Sequence, residues 1–158
     1  MDISRFQKAE KNQQYISSMR PVFNKKALFS DMTEDYVYPP EPSAYGEVNI
    51  HFRSAKNNID RVFLVCKGEK HLMLKTESDN NFDYYSHSIQ LENEIVIYYF
   101  EVQAGRITCF YDTRGVCKDI NDYYHFRLIP GFKTPDWAKG AVFYQIYVDR
   151  FYNGDSWR

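Results

Sequence analysis

Tyrosine is the residue with which this chain can do most. Its 158 residues include 14 Tyr, 12 Phe and 2 Trp. A tyrosine ring offers an apolar face that stacks on flat ligands while its hydroxyl stays wet. The residues that carry bond-making chemistry are less favourably spaced. The four histidines, His51, His71, His87 and His125, lie far apart, and nothing in their spacing suggests a metal cluster. The three cysteines, Cys66, Cys109 and Cys117, are odd in number and have no short paired spacing, which argues against a disulfide framework and against zinc. Cys66 ends the apolar run Val62-Phe63-Leu64-Val65 and reads as a reduced core residue. Asp149 closes another apolar run, but a lone carboxylate is no catalytic pair.

The elements that must position these residues read as β-structure. Glu47 to Arg53 alternates strictly, with Val48, Ile50 and Phe52 on one face and polar residues on the other. Asn57-Asn58 breaks that run, and Arg61 to Lys67 reads as a more buried strand. Gly68-Glu69-Lys70 turns into a strand over His71 to Lys75, and the acidic, amide-rich stretch from Glu77 to Asn81 reads as a loop. Phe82 to Gln90, Glu94 to Gln103 and Ile107 to Tyr111 supply three further strands, with Ala104-Gly105-Arg106 as a tight hairpin connection. Tyr123 to Phe126 reads as a closing strand. Short strands at this spacing, with no helical period between them, imply an all-β antiparallel sandwich or barrel and exclude a parallel α/β sheet.

Both ends of the chain differ from this middle. Residues 1–24 are polar, with a loosely helical spacing of Phe6, Ala9, Ile16 and Met19 that Pro21 would end; a helix and a disordered arm are both compatible with it. Residues 25–129 form the sandwich and residues 130–140, from Pro130-Gly131 through Pro135, read as a linker. Residues 141–148 are almost wholly apolar, the pattern of a strand buried on both faces of a parallel sheet. The expectation is that residues 141–158 begin a second domain, making the chain part of a longer protein.

Composition narrows the function classes. Lys plus Arg number 20 against 21 Asp plus Glu, without the clustered basic charge that nucleic-acid binding requires. The densest basic group, Lys11, Arg20, Lys25 and Lys26, reads as a solvated face. No basic start with an apolar stretch marks a signal peptide, and no apolar run approaches the length that spans a bilayer. A cytoplasmic, reducing location without membrane contact is expected.

The segment from Asp136-Trp137 through Val142-Phe143-Tyr144-Gln145-Ile146 to Asp149-Arg150-Phe151-Tyr152-Asn153-Gly154-Asp155 closely resembles the entry into the catalytic barrel of α-amylase-family glycoside hydrolases. Strand, turn and acidic loop agree in order and spacing, and the neopullulanase, cyclomaltodextrinase and maltogenic-amylase branch is nearest. Upstream, Ala27 to Asp31, Tyr36 to Pro40, Val48 to Lys56, Asp60 to Val65, Phe82 to Tyr85 and Tyr98 to Val102 resemble the N-terminal carbohydrate-binding domain of that branch.

The resemblance implies an immunoglobulin-like β-sandwich followed by the truncated start of a (β/α)8 barrel. It implies a non-catalytic starch- or maltodextrin-binding and subunit-interface module of an α-glucan hydrolase. The family's nucleophilic Asp, acid/base Glu and stabilising Asp sit on later barrel strands, so this chain is expected to hold no catalytic residue and no cofactor of its own. Asn153 and Asp155 match two calcium ligands of the family's loop, relevant to calcium binding only in a full-length parent. Expected partners are maltooligosaccharides or cyclodextrins, the chain's own barrel and a second subunit. Sugar stacking would use Tyr36, Tyr38 and Tyr45 before the first alternating strand, and Tyr84 or Tyr85, of which alternation turns only one outward. The competing role for each of these rings is core or cross-strand packing. A β-sandwich scaffold or dimerisation domain without sugar binding is the alternative for the whole chain.

Overall fold

The computed structural model describes residues 22–145. Among these residues there is no α-helix, and ten strands form two antiparallel sheets. The strands are β1 (Val37–Tyr38), β2 (Glu47–Ala55), β3 (Arg61–Cys66), β4 (Glu69–Leu72), β5 (Leu74–Ser78), β6 (Phe82–Gln90), β7 (Val96–Ala104), β8 (Ile107–Asp112), β9 (Gly115–Cys117) and β10 (Phe126–Leu128). The first sheet runs β1-β2-β6-β5 and the second β4-β3-β7-β8-β9, with β10 paired to the start of β7. The expected antiparallel sandwich is what the sequence folds into.

The alternation in β2 dictates its face. Val48, Ile50 and Phe52 are fully buried, and the nine-residue strand pairs without a break against β6, from Glu47 opposite Gln90 to Ala55 opposite Phe82. From the second sheet Leu64, Tyr98, Phe100 and Val102 meet them. Phe52 touches both Phe100, at 4.8 Å between ring centres, and Tyr111, at 5.4 Å and almost perpendicular. Such tilted and edge-to-face contacts are the favoured aromatic geometries. The buried hydroxyls are satisfied: Tyr111 donates to the Ser30 carbonyl at 3.1 Å, and Tyr98 lies 3.3 Å from the Met32 sulfur.

Three local expectations need correction. The strand expected over His71 to Lys75 is two strands in different sheets, because the chain leaves β3's side at Met73 and joins β6. Met73 is buried, and its N–H donates to the Val62 carbonyl at 3.0 Å. The acidic loop is shorter than expected, since Glu77 and Ser78 belong to β5. The Asp79 carboxylate closes the turn by accepting the N–H groups of Asn81 and Phe82, both at 2.6 Å. Finally, Tyr123 and Tyr124 lie in a 3-10 turn, Asp122–Tyr124, whose Asn121 side chain accepts the Tyr123 N–H at 3.0 Å; the strand starts only at Phe126.

The flanks of the sandwich are fastened to it. Buried Asn58 accepts from the Asn24 N–H at 2.7 Å and donates to the Asn24 carbonyl at 2.9 Å. The stretch expected as a linker is held by the loop before β2: Gly131 N–H to the Pro42 carbonyl at 2.8 Å, Thr134 N–H to Glu41 at 3.0 Å, and Lys139 to Glu41 at 3.2 Å. The bonds from Thr134, and then that from Lys139, keep the Glu41 carboxyl well below its usual range, down to about 2. Residues 141–145 are exposed and carry no strand, so the expected first barrel strand is not formed over the part described. Residues 1–21 and 146–158, with the expected calcium ligands Asn153 and Asp155, lie outside the described residues.

Candidate functional site

In an antiparallel pair, residues directly opposite one another point to the same face. The outward column of β2 is therefore Asn49, His51 and Arg53, opposed on β6 by Ser88, Ser86 and Tyr84. On the other side of β2, Tyr38 stands opposite Asn49, Tyr36 accepts the His51 N–H at 2.8 Å, and Phe29 bridges Arg53. Rows and columns of this grid place Phe29, Tyr36 and Tyr38 along one edge of the outer face and Tyr84 two strands away, roughly 10 Å at the usual strand spacing.

Arg53 holds the centre. Its guanidinium lies 4.4 Å from the Phe82 ring centre and 5.2 Å from that of Phe29, and Phe29 in turn meets Tyr36 edge-on at 5.1 Å. The Tyr84 hydroxyl donates to Asp79 at 3.1 Å, which fixes the ring's tilt. Burial, ahead of that bond, pushes the Tyr84 hydroxyl above its ordinary range, and burial does the same for Tyr36. His51 is held below the usual imidazole range by burial, with Glu77 opposing. Two enclosed polar atoms on this face, Arg53 Nε and Asn49 Oδ1, have no hydrogen-bond partner.

The expected stacking residues distribute unevenly. Tyr36, Tyr38 and Tyr84 share the outer face of the first sheet, with Tyr38 strongly exposed. Tyr45 lies beyond its far end, in the left-handed region at φ 61°, where its carbonyl accepts from the Gln90 side chain at 2.7 Å. Tyr85 points the other way: it is only 6% exposed and belongs to the core, so its ring is no stacking surface. Both Tyr84 and Tyr85 lie within β6, the strand expected over Phe82 to Gln90. Sequence reasoning missed Phe29, Asn49, Arg53 and Phe82. The strict alternation of β2 was the signal for Asn49 and Arg53, whereas Phe29 is brought in only by an isolated bridge.

Among the described residues, no group of three or more His, Cys, Asp or Glu side chains could hold a metal ion, and no helix is long and apolar enough to cross a membrane.

The profile of the family described as alpha amylase, N-terminal ig-like domain matches residues 23–130. The chain belongs to this family.

As an α-amylase N-terminal Ig-like domain, it is 27% identical over 148 residues to a cyclomaltodextrinase of Thermoanaerobacter pseudethanolicus, a match covering 84% of this chain and 25% of that enzyme. It is 39% identical over 88 residues to an amylopullulanase of Thermoanaerobacterium thermosulfurigenes, covering 49% of this chain and 5% of that one. A solved cyclomaltodextrinase structure superposes with a TM-score of 0.58 at 24% identity, over 83% of this chain and 24% of that one; at such identity the likeness speaks for the fold alone. The chain spans about a quarter of the length of these cyclomaltodextrinases. It is thus an N-terminal domain of the cyclomaltodextrinase type within the α-amylase family, the placement that the segments from Ala27 to Val102 implied.

Proposed function

We propose that the outer face of the first sheet binds α-glucan chains, maltooligosaccharides or cyclodextrins, for an α-amylase-family hydrolase of the cyclomaltodextrinase or neopullulanase type. The observation that carries this reading is the gathering of Tyr36, Tyr38 and Tyr84 on one face around the Arg53 guanidinium. Glucose presents apolar C–H faces ringed by hydroxyls. Ring faces take the first, and the polar side chains of the same face, Asn49, Arg53, Ser86 and Ser88, take the second. The chemistry is recognition alone, and bond cleavage would belong to other parts of a longer enzyme, where Asn153 and Asp155 would contribute oxygen ligands to calcium.

Titration with maltooligosaccharides or β-cyclodextrin, followed by tyrosine and tryptophan fluorescence, tests the proposal. Saturable quenching that Tyr84→Ala shifts to about tenfold higher ligand concentration is the expected result. No change at millimolar ligand would leave the second reading, a scaffold and subunit-contact domain. That reading has its own support in the outer face of the second sheet, where Leu72 and Ile97 are exposed.

A further inference from the structure

His71 and His87 are 16 positions apart in the sequence and belong to different sheets, yet their rings stack with centres 5.1 Å apart and planes 25° from parallel. Their surroundings explain the meeting. β4 is the outermost strand of the second sheet. β5 accompanies β6 only from Ser86 toward its start, so the last residues of β6 are paired with β2 alone. Two strand edges therefore face one another across the open side of the sandwich, beside the corner at Met73 where the chain changes sheet. The imidazoles fill that opening and form one wall of a cavity of about 260 Å³.

We propose that the stacked His71–His87 pair is a proton-operated latch between the two sheets: with at most one proton shared by the pair it closes the seam, and with two it drives the edges apart. Stacked neutral rings gain ordinary aromatic contact. Two imidazolium rings at this separation repel inside a partly desolvated site, where screening is weaker than in water.

The other groups that face the pair do not cancel the second charge. Glu69 on β4 lies 3.8 Å from the His71 Nε2, but it is mostly exposed and can offset one proton at most. Lys67, in the turn before β4, adds positive charge and is itself held by Glu92 at 3.0 Å. Cys66 on β3 and Gln90 on β6 also line the cavity, and burial pushes the Cys66 thiol upward, so it stays neutral. The Leu72 backbone, next to the corner, acts the other way and favours the protonated His87 ring, without outweighing burial and His71.

His87 is held below the ordinary histidine range, first by burial and then by His71. A depressed imidazole contributes stability that is present above its unfolded value and lost as pH falls through the folded one. The latch therefore closes at neutral pH and opens on acidification, in the interval where histidine titrates.

The test is hydrogen exchange on the 158-residue chain at about pH 7.5 and about pH 5, expressed as protection factors so that intrinsic exchange is divided out. Residues 69–78 are expected to lose protection roughly tenfold at the lower pH, while the β2–β6 centre holds. His87→Phe keeps a ring in the stack and should abolish the pH dependence. Should that variant fold poorly, the imidazole resonances of the wild-type chain decide: that of His87 should titrate below the ordinary histidine range. Unchanged protection, titration of His87 at the ordinary histidine value, or a loss that persists in His87→Phe would overturn the latch.

Discussion

The guanidinium of Arg53 lies 4.4 Å from the centre of the Phe82 ring, and those two side chains sit on neighbouring strands at the middle of the aromatic face. Contacts of this kind are worth about 0.5–2 kcal/mol, more when water is excluded. Arg53→Ala should therefore lower the melting temperature by a few degrees and weaken maltooligosaccharide binding about tenfold; Arg53→Lys should restore some of the stability and little of the binding, because a compact ammonium cannot lie flat against the ring. Thermal unfolding and fluorescence titration on the same samples check both. Equal affinity in all three proteins would remove Arg53 from the sugar site.

Tyr84 and Tyr85 make opposite predictions although they are adjacent. Tyr84→Ala should leave the fold nearly as stable and cut glucan affinity about tenfold, the order of one lost ring contact. Tyr85→Ala should cost about 3–5 kcal/mol of stability in urea titration by emptying a core position, with any surviving folded protein binding glucan normally.

The acid limb of the stability curve should carry the signature of Asp83. This buried carboxylate accepts from Asn57 N–H at 2.8 Å and from Ser78 at 2.7 Å, and pairs with Lys75 at 2.6 Å. Burial raises its affinity for a proton, but those partners outweigh it, and its pKa is lowered. A depressed carboxylate contributes stability that is present above its unfolded value, about 3.9, and disappears as pH falls through the folded one. Asp83→Asn should destabilise the chain at neutral pH and flatten the dependence below about pH 4; denaturant melts across that range would show it.

Asn58→Ala should release the segment around Asn24. Each of the two lost bonds is worth about 1 kcal/mol, and the Asn24 N–H and carbonyl they served can turn to water. The expected result is a stability loss of about 1–3 kcal/mol with earlier proteolytic cleavage before residue 28. Unaltered cleavage would mean that other contacts hold this segment.

The strands could be read from the sequence wherever one face is buried, because alternation then repeats faithfully, as in Val48, Ile50 and Phe52. Reading failed at Met73 for a physical reason. A strand that passes from one sheet to the other keeps its extended backbone and apolar content, and nothing local marks which neighbour each half will pair with. The candidate site was half legible: Tyr36, Tyr38 and Tyr84 stand out by type, whereas Phe29 and Phe82 are conspicuous only once register brings them beside Arg53. Tyr85 illustrates the converse, since residue type suggested a surface and only its place opposite buried Phe52 of β2 put it inside.

The change of sheet at Met73 has a bearing on how the protein behaves in company. An open sandwich exposes unpaired backbone at its outermost strands, and long, flat, apolar margins recruit other chains. Here one stretch supplies an outermost strand to each sheet, four residues in β4 and five in β5. Neither margin is long enough to template an extended partner strand, and Glu69, Lys70, Lys75 and Glu77 set charge along both. Replacing Met73 by a residue that favoured one uninterrupted strand would create a nine- to ten-residue margin from two short ones, trading a bend in the chain for a tendency to polymerise.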